Sequence, residues 1–204
     1  MGIKKFVVGA FETNTYLITK GNKAVIVDPG LDFNLIYPEI KNNYEIEAVL
    51  ITHGHIDHID GVGLIDAPIY VGKEDLNNFR DKVNSLYVLS YQKPSFDCNK
   101  LNLVSVSDND TIVLPTFTFK AIHTPGHTIG SYCYLYFNNL FSGDTLFRCS
   151  IGRTDFPTGS YKMMNLSLKR LKSTVSDEVV IYPGHDEKTT MKYEKQNNPY
   201  FKNL

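Results

Sequence analysis

Residues 52–58 read Thr-His-Gly-His-Ile-Asp-His, which places three imidazoles and a carboxylate between His53 and His58. The preceding run Ala48-Val49-Leu50-Ile51 is apolar and β-branched, as a buried strand requires. The cluster therefore falls on the loop where a strand ends, and a loop can converge several side chains on one point. Neutral imidazoles with a carboxylate are the donor set of a borderline divalent cation, zinc first. Structural zinc sites usually use paired cysteines, and this chain has no C-x-x-C. The expected chemistry is catalytic.

Three further loops carry donors of the same kind. His127 lies in Thr124-Pro125-Gly126-His127-Thr128 and His185 in Tyr182-Pro183-Gly184-His185. Each follows a strand-like run and is introduced by a Pro-Gly turn. Asp144 ends Leu140-Phe141-Ser142-Gly143-Asp144. An isolated histidine would be read as a hydrogen-bonded core residue. Five histidines and two aspartates at matching positions after strands point instead to a metal centre.

The elements that must hold these loops are mostly strands. Strand-like runs are predicted over Lys5–Val8, Thr15–Ile18, Ala24–Val27, Ala48–Ile51, Ile69–Val71, Thr111–Val113, Phe117–Ile122, Tyr132–Tyr136, Asn139–Phe141 and Val179–Tyr182. Asn138-Asn139 reads as a hairpin turn. Helices are predicted over Leu35–Asn42, Asp57–Gly63, Lys73–Asn78, Tyr161–Ser173 and Glu187–Asn197. In Tyr161–Ser173, Met164, Leu168 and Leu171 share a face. Residues 79–100 are irregular and read as a surface loop. The alternative is a flap, with Tyr87 or Tyr91 lining the mouth of the site.

Length and composition set bounds. At 204 residues the chain is expected to form one domain, 1–204, large enough to bury about 70% of its unfolded surface. A net charge of −1 argues against a nucleic-acid partner. No apolar run is long enough for a membrane span, and the start lacks a secretory pattern. The three cysteines, Cys98, Cys133 and Cys149, read as reduced thiols of a cytoplasmic protein. The oligomeric state is not legible.

The series His-x-His-x-Asp-His, then His127, Asp144 and His185, resembles the metallo-β-lactamase superfamily over nearly the whole chain. Asp28-Pro29-Gly30 is similar to its early Asp-Pro-Gly turn. Ser142-Gly143-Asp144-Thr145-Leu146-Phe147, Ser150-Ile151-Gly152-Arg153-Thr154-Asp155 and the tail after His185 resemble its short glyoxalase II-like branch. The resemblance implies an α/β fold, an αβ/βα four-layer sandwich of two packed mixed sheets with helices outside. It implies two divalent metal ions, zinc first with iron or manganese as alternatives. His53, His55 and His127 would hold the first; Asp57, His58 and His185 the second; Asp144 would bridge them. Asp57 and Asp144 are the carboxylates expected to be catalytic.

An aspartate bridge is unlike metallo-β-lactamases proper, which generally carry Cys or Ser there. It suits a thioesterase acting on a small S-acyl thiol such as a 2-hydroxyacyl thioester. Arg153 is the substrate-binding candidate; its other reading is an ion pair with Asp155. His123, beside the Thr-Pro-Gly turn, is read as structural. The chain ends soon after His185, so the helical C-terminal region of glutathione-specific relatives is not expected, and several carriers should be accepted. The rival reading is a persulfide dioxygenase with one iron on His53, His127 and Asp144. A lactonase or phosphodiesterase ranks lower.

Overall fold

In a β-strand successive side chains leave on opposite faces, and here both faces are apolar. The structure, a computed structural model, describes residues 1–202 and 204. Strands β1 (Gly2–Val8), β2 (Thr13–Lys20), β3 (Lys23–Val27), β4 (Glu45–Ile51), β5 (Ile69–Gly72) and β6 (Leu103–Val106) form one sheet in that order. The β1–β2–β3 pairs are antiparallel, and β3 through β6 run parallel. The second sheet has the order β14-β13-β10-β9-β8-β7. Its strands are β7 (Thr111–Val113), β8 (Thr118–His123), β9 (Tyr132–Tyr136), β10 (Asn139–Gly143), β13 (Val180–Pro183) and β14 (Thr189–Thr190), and only β10 and β13 pair in parallel. A small ribbon, β11 (Leu146–Phe147) with β12 (Ser150–Ile151), lies beyond β10.

Alternation along these strands produces three apolar layers. Val25, Val27, Ala48 and Leu50 meet Phe119, Tyr134 and Phe141 between the sheets. Ala24, Ile26, Val49 and Ile51 face outward under Tyr37 and Ile40 of helix α1 (Tyr37–Asn43) and Ile56 and Ile59 of the one-turn helix α2 (Ile56–Ile59). On the far side Ile122, Cys133, Leu140 and Ile181 pack on Met164, Leu168 and Leu171 of the later helix Tyr161–Thr174. Helix, sheet, sheet, helix is the expected four-layer sandwich.

The remaining helices are α3 (Tyr87–Ser90), α4 (Tyr161–Thr174), α5 (Met191–Asn197) and α6 (Pro199–Lys202). Ser160 caps α4 by accepting from the Met163 amide, a contribution of about 1 kcal/mol. Met164, Ser167, Leu168 and Leu171 are its buried stripe. Truncating Leu168 to alanine would cost roughly 2–5 kcal/mol. Among the described residues no helix is long and apolar enough to cross a membrane. All three cysteines are unpaired.

Several sequence expectations need correction. Lys73–Asn78 is not a helix but a turn leading into a 3-10 turn, Leu76–Phe79. Asp57–Gly63 divides into α2 and a 3-10 stretch, Asp60–Leu64. Glu187–Asn197 opens irregularly at Glu187-Lys188 and passes through strand β14, and the helix starts only at Met191, capped by Thr190. Strand β6 was not predicted, because four residues after an irregular segment carry little periodic signal. The hairpin turn is Phe137-Asn138, one residue earlier than expected, since Tyr136 pairs with Asn139.

Candidate metal centre

Four strand ends meet at one edge of the sandwich. Beyond β4 come Thr52, His53, Gly54 and His55, with Asp57 and His58 in α2. Beyond β8 the chain turns at Pro125-Gly126 to His127; beyond β10 lies Asp144; beyond β13 lies His185. The loops are stitched together by backbone. The Tyr132 amide donates to Thr52 O at 2.7 Å across the two sheets, and the Gly184 amide to Gly143 O at 2.9 Å. Helix α4 supports the His127 turn: Ser160 N donates to Gly126 O, and Ser167 Oγ to Pro125 O at 2.7 Å.

All seven expected donors come together. His53, His55 and His127 form one group, and Asp57, His58 and His185 another, with donor atoms in each within 4.8 Å of one another. Asp144 lies between them. Its Oδ2 is 3.4 Å from His127 Nε2 and 3.5 Å from His185 Nε2, and its Oδ1 is 3.5 Å from His58 Nε2. Asp57 Oδ2 is 3.3 Å from His58 Nε2 and 3.4 Å from His185 Nε2. These separations are long for hydrogen bonds. They match the edge of about 3.3–3.4 Å that a tetrahedron with bonds of about 2.0–2.1 Å would have.

The remaining polar atoms support the fit of a cation. His53 Nε2, His55 Nε2, His58 Nε2 and Asp144 Oδ1 are buried without a hydrogen-bond partner. Buried polar atoms are rarely left so. Four outer ring nitrogens are occupied instead. Nδ1 of His53 faces Thr52 Oγ1, that of His58 faces Asp28 Oδ2, that of His127 faces Arg153 O, and that of His185 faces Phe11 O. With the proton on Nδ1, each Nε2 lone pair turns toward the cluster. His55 is reversed, its Nδ1 standing 2.9 Å from His127 Nε2.

Electrostatics separates the two groups. Burial drives His53 far below the ordinary imidazole range, with help from His58 and His127. Burial and His127 bring His55 down to about 3. These rings are neutral at pH 7, as a metal ligand must be. In the second group burial opposes charge, but Asp57, Asp144 and Asp28 outweigh it and raise His58 well above its usual range. Against burial, Asp144 and Asp57 push His185 up to about 10. Burial favours protonated carboxyls, yet His58 and its neighbours hold Asp57 well below the usual carboxylate range and Asp144 at about 2. The carboxylates Asp57 and Asp144 thus draw positive charge to this group, the charge that a bound cation would supply.

Several positioning residues had no signal in the sequence. Asp75 is fully buried and accepts from Gly54 N, Thr128 Oγ1 and Gly130 N at 2.7–2.9 Å, tying the His53–His55 loop to the His127 loop. Asp28 accepts from Thr52 N, Thr52 Oγ1 and His58. Its Asp-Pro-Gly turn was legible, but not its task. Gly30 closes that turn against the Asp57 carbonyl, where a Cβ would collide. Thr13 Oγ1 donates to Asp57 at 2.8 Å. Asn14 and Tyr16 of β2 bond to Pro183 O, which holds the His185 loop in place.

Over the donors lies a cavity of about 530 Å³. Arg153 is on its wall, but its guanidinium is paired in two-toothed fashion with Asp155, both bonds 2.7 Å, and lies 3.8 Å above the Phe156 ring. The ion-pair reading of Arg153 is therefore the one visible here. Residues 79–100 do reach the mouth, through Leu86, Leu89 and Ser90, and not through the tyrosines. Tyr87 is buried and donates to Asp60 at 2.6 Å, while Tyr91 points into solvent. His123 bonds to Ile129 O and stacks on Tyr132, a structural role.

Comparison with known proteins fits this geometry. The chain is 30% identical over 207 residues to hydroxyacylglutathione hydrolase GloC of Haemophilus influenzae, with 98% of each chain covered. It is similar in structure to the BLEG-1 B3 metallo-beta-lactamase, with a TM-score of 0.90, 29% identity and coverage of 98% of this chain and 99% of that one. It is also similar to TTHA1623 in a di-iron-bound form, with a TM-score of 0.84, 28% identity and coverage of 97% and 99%. The family model of the metallo-beta-lactamase superfamily matches residues 8–185 and so ends on the last of the seven donors. The chain belongs to the metallo-beta-lactamase superfamily.

Proposed function

We propose that the chain is a binuclear metal-dependent hydrolase of S-acyl thioesters, 2-hydroxyacyl thioesters among them. The observation that carries this is the pair of donor groups around Asp144, with His55, Asp57, His127, Asp144 and His185 lining one cavity. His53, His55 and His127 would hold one cation and Asp57, His58 and His185 the other. The shared carboxylate would offset their mutual repulsion. Zinc suits the donors, and iron or manganese is admissible; a relative with two irons supports two metal positions.

Two cations bound there would lower the pKa of water toward about 7 and polarise a carbonyl oxygen. In the net reaction water oxygen joins the carbonyl carbon and the C–S bond breaks with its electron pair on sulfur. A carboxylate, a thiol and one proton result. A thiolate with a pKa of about 8.5 leaves without a donated proton, whereas an amide nitrogen needs one. Apart from the metal donors, the polar side chains on the cavity wall are Ser90 and Arg153. Arg153 is engaged with Asp155, so a substrate carboxylate would gain its fork only by exchange with that aspartate. This favours thioesters over lactams. The hydroxyacylglutathione hydrolase relative supports the same class. The free cysteines suit a reducing, cytoplasmic setting.

The test is metal content per chain, measured with thiol release and oxygen uptake. About two metals, with thiol released and no oxygen consumed, is the expected result. One iron per chain under metal-replete conditions, with oxygen consumed on a persulfide and no thioester cleaved, would establish the dioxygenase instead.

A further inference from the structure

The cavity wall is apolar although its floor is charged. Phe11 from the β1–β2 turn, Ile56 from α2, Leu86 and Leu89 from around α3, Phe147 from β11 and Phe156 from the loop after β12 converge on it from separate segments. Phe11 and Leu89 are 52% and 62% exposed. Apolar side chains gathered at the mouth of a cavity mark a surface meant to be covered. The wall begins at the donors: the Phe147 ring meets His185 at 6.0 Å and the Phe156 ring meets His55 at 5.9 Å.

We propose that this wall receives the acyl half of the substrate, and that the preferred substrates carry an unbranched apolar acyl chain of medium length. This rests on the thioesterase reading above. A short 2-hydroxyacyl group would leave most of the wall wet. The polar groups on the wall are engaged already: Ser90 Oγ donates to Tyr87 O at 3.0 Å, and the Arg153 fork closes on Asp155. A polar thiol carrier laid there would have its amides and carboxylates unpaired and would lose their hydration without replacement. An alkyl chain has no such groups to lose. The acyl chain therefore lies along Phe11, Leu89, Phe147 and Phe156, and the carrier points to solvent. A carrier carboxylate that displaced Asp155 would exchange one ion pair for another, so carriers are discriminated weakly.

The test uses the metal-loaded protein and thioesters of a single thiol, N-acetylcysteamine, with acetyl, butyryl, hexanoyl, octanoyl and lactoyl groups. The kcat/KM should rise about fourfold per methylene, from about 0.8 kcal/mol per buried methylene at 1.4 kcal/mol per tenfold, until the cavity is full. The hexanoyl ester should exceed the lactoyl ester by more than tenfold. Leu89→Asp and Phe11→Ser, both at exposed positions, should each flatten the rise with metal content unchanged. A flat profile with acetyl or lactoyl esters cleaved, or an undiminished rise in both variants, would overturn the acyl-wall assignment and leave the thioesterase reading standing. Failure to cleave any of the esters would overturn both.

Discussion

The Nδ1 of His58 lies 2.9 Å from Asp28 Oδ2, and both side chains are buried. The carboxylate fixes the ring with its proton outward and its Nε2 toward Asp57, Asp144 and His185. Asp28→Asn keeps the shape and removes the charge. The affinity for the metal at the Asp57, His58 and His185 position should fall about 10- to 100-fold, measured by competition with a chromophoric chelator. An unchanged affinity would show that Asp28 serves its turn and the Thr52 loop and not the His58 ring.

His55 and Asp144 belong to different parts of the donor set, one within the three-histidine group and one between the two groups. His55→Ala should lower occupancy mainly at the first position, and Asp144→Ala should lower it at both. Circular dichroism should change little, because both residues stand on loops beyond the packed strands. Full metal content with full activity in either variant would refute the assignment of donors.

The clustering of the seven candidate donors was legible because their residue types are rare and they stand on loops that follow apolar runs. The buried strands Ala24–Val27, Ala48–Ile51 and Tyr132–Tyr136 were legible because both of their faces are apolar, but those runs suit several α/β layouts, and the sandwich itself was expected only from the family resemblance. Asp75 was not, because a carboxylate between Glu74 and Leu76 in a polar stretch resembles any surface acid. Its burial depends on Gly54 and Gly130, far apart in the chain. Arg153 left two readings open, because the sequence places Asp155 near it without showing that the fork is closed. The tyrosines of 87–91 suggested a pocket lining for their chemistry, but tertiary packing buried Tyr87 and left Leu86 and Leu89 at the mouth.

Asp75 makes a test of the frame as distinct from the donors. Asp75→Ala would leave the Gly54 and Gly130 amides unpaired in a buried setting. At about 1–3 kcal/mol for each lost partner, the variant should be less stable by roughly 2–6 kcal/mol. Urea unfolding of the metal-free protein reads this without a contribution from bound metal. A change below about 1 kcal/mol would mean that water or another side chain replaces the carboxylate.

Cys133 is fully buried against Thr124 and Ser142, and burial pushes its thiol up to about 11. The thiolate is the reactive form, and a raised pKa lowers its share at any pH below that value. Iodoacetamide at pH 8 should therefore label Cys98 and Cys149, which are partly exposed, well before Cys133. Mass spectrometry of the native protein would show this order, and it should vanish in urea. Labelling of Cys133 at the same rate as the others would mean that the β9 region opens readily.

Gly184 tests how closely the second donor group is packed. A Cβ at this position would collide with Asp144 Oδ1 and stand 2.8 Å from His58 Cε1. Its φ is not in the left-handed region, so backbone strain is not the issue. The added methyl must displace the carboxylate or the ring, and both would be metal ligands. Gly184→Ala should therefore lose metal from the second position and lower kcat/KM by at least about 100-fold, since ligand misplacement of about 1 Å has that effect. The far-UV spectrum should be kept, because the Gly184 amide still donates to Gly143 O. Metal analysis beside the rate decides the matter: normal stoichiometry and a normal rate would show that the loop after β13 yields to the methyl without disturbing Asp144.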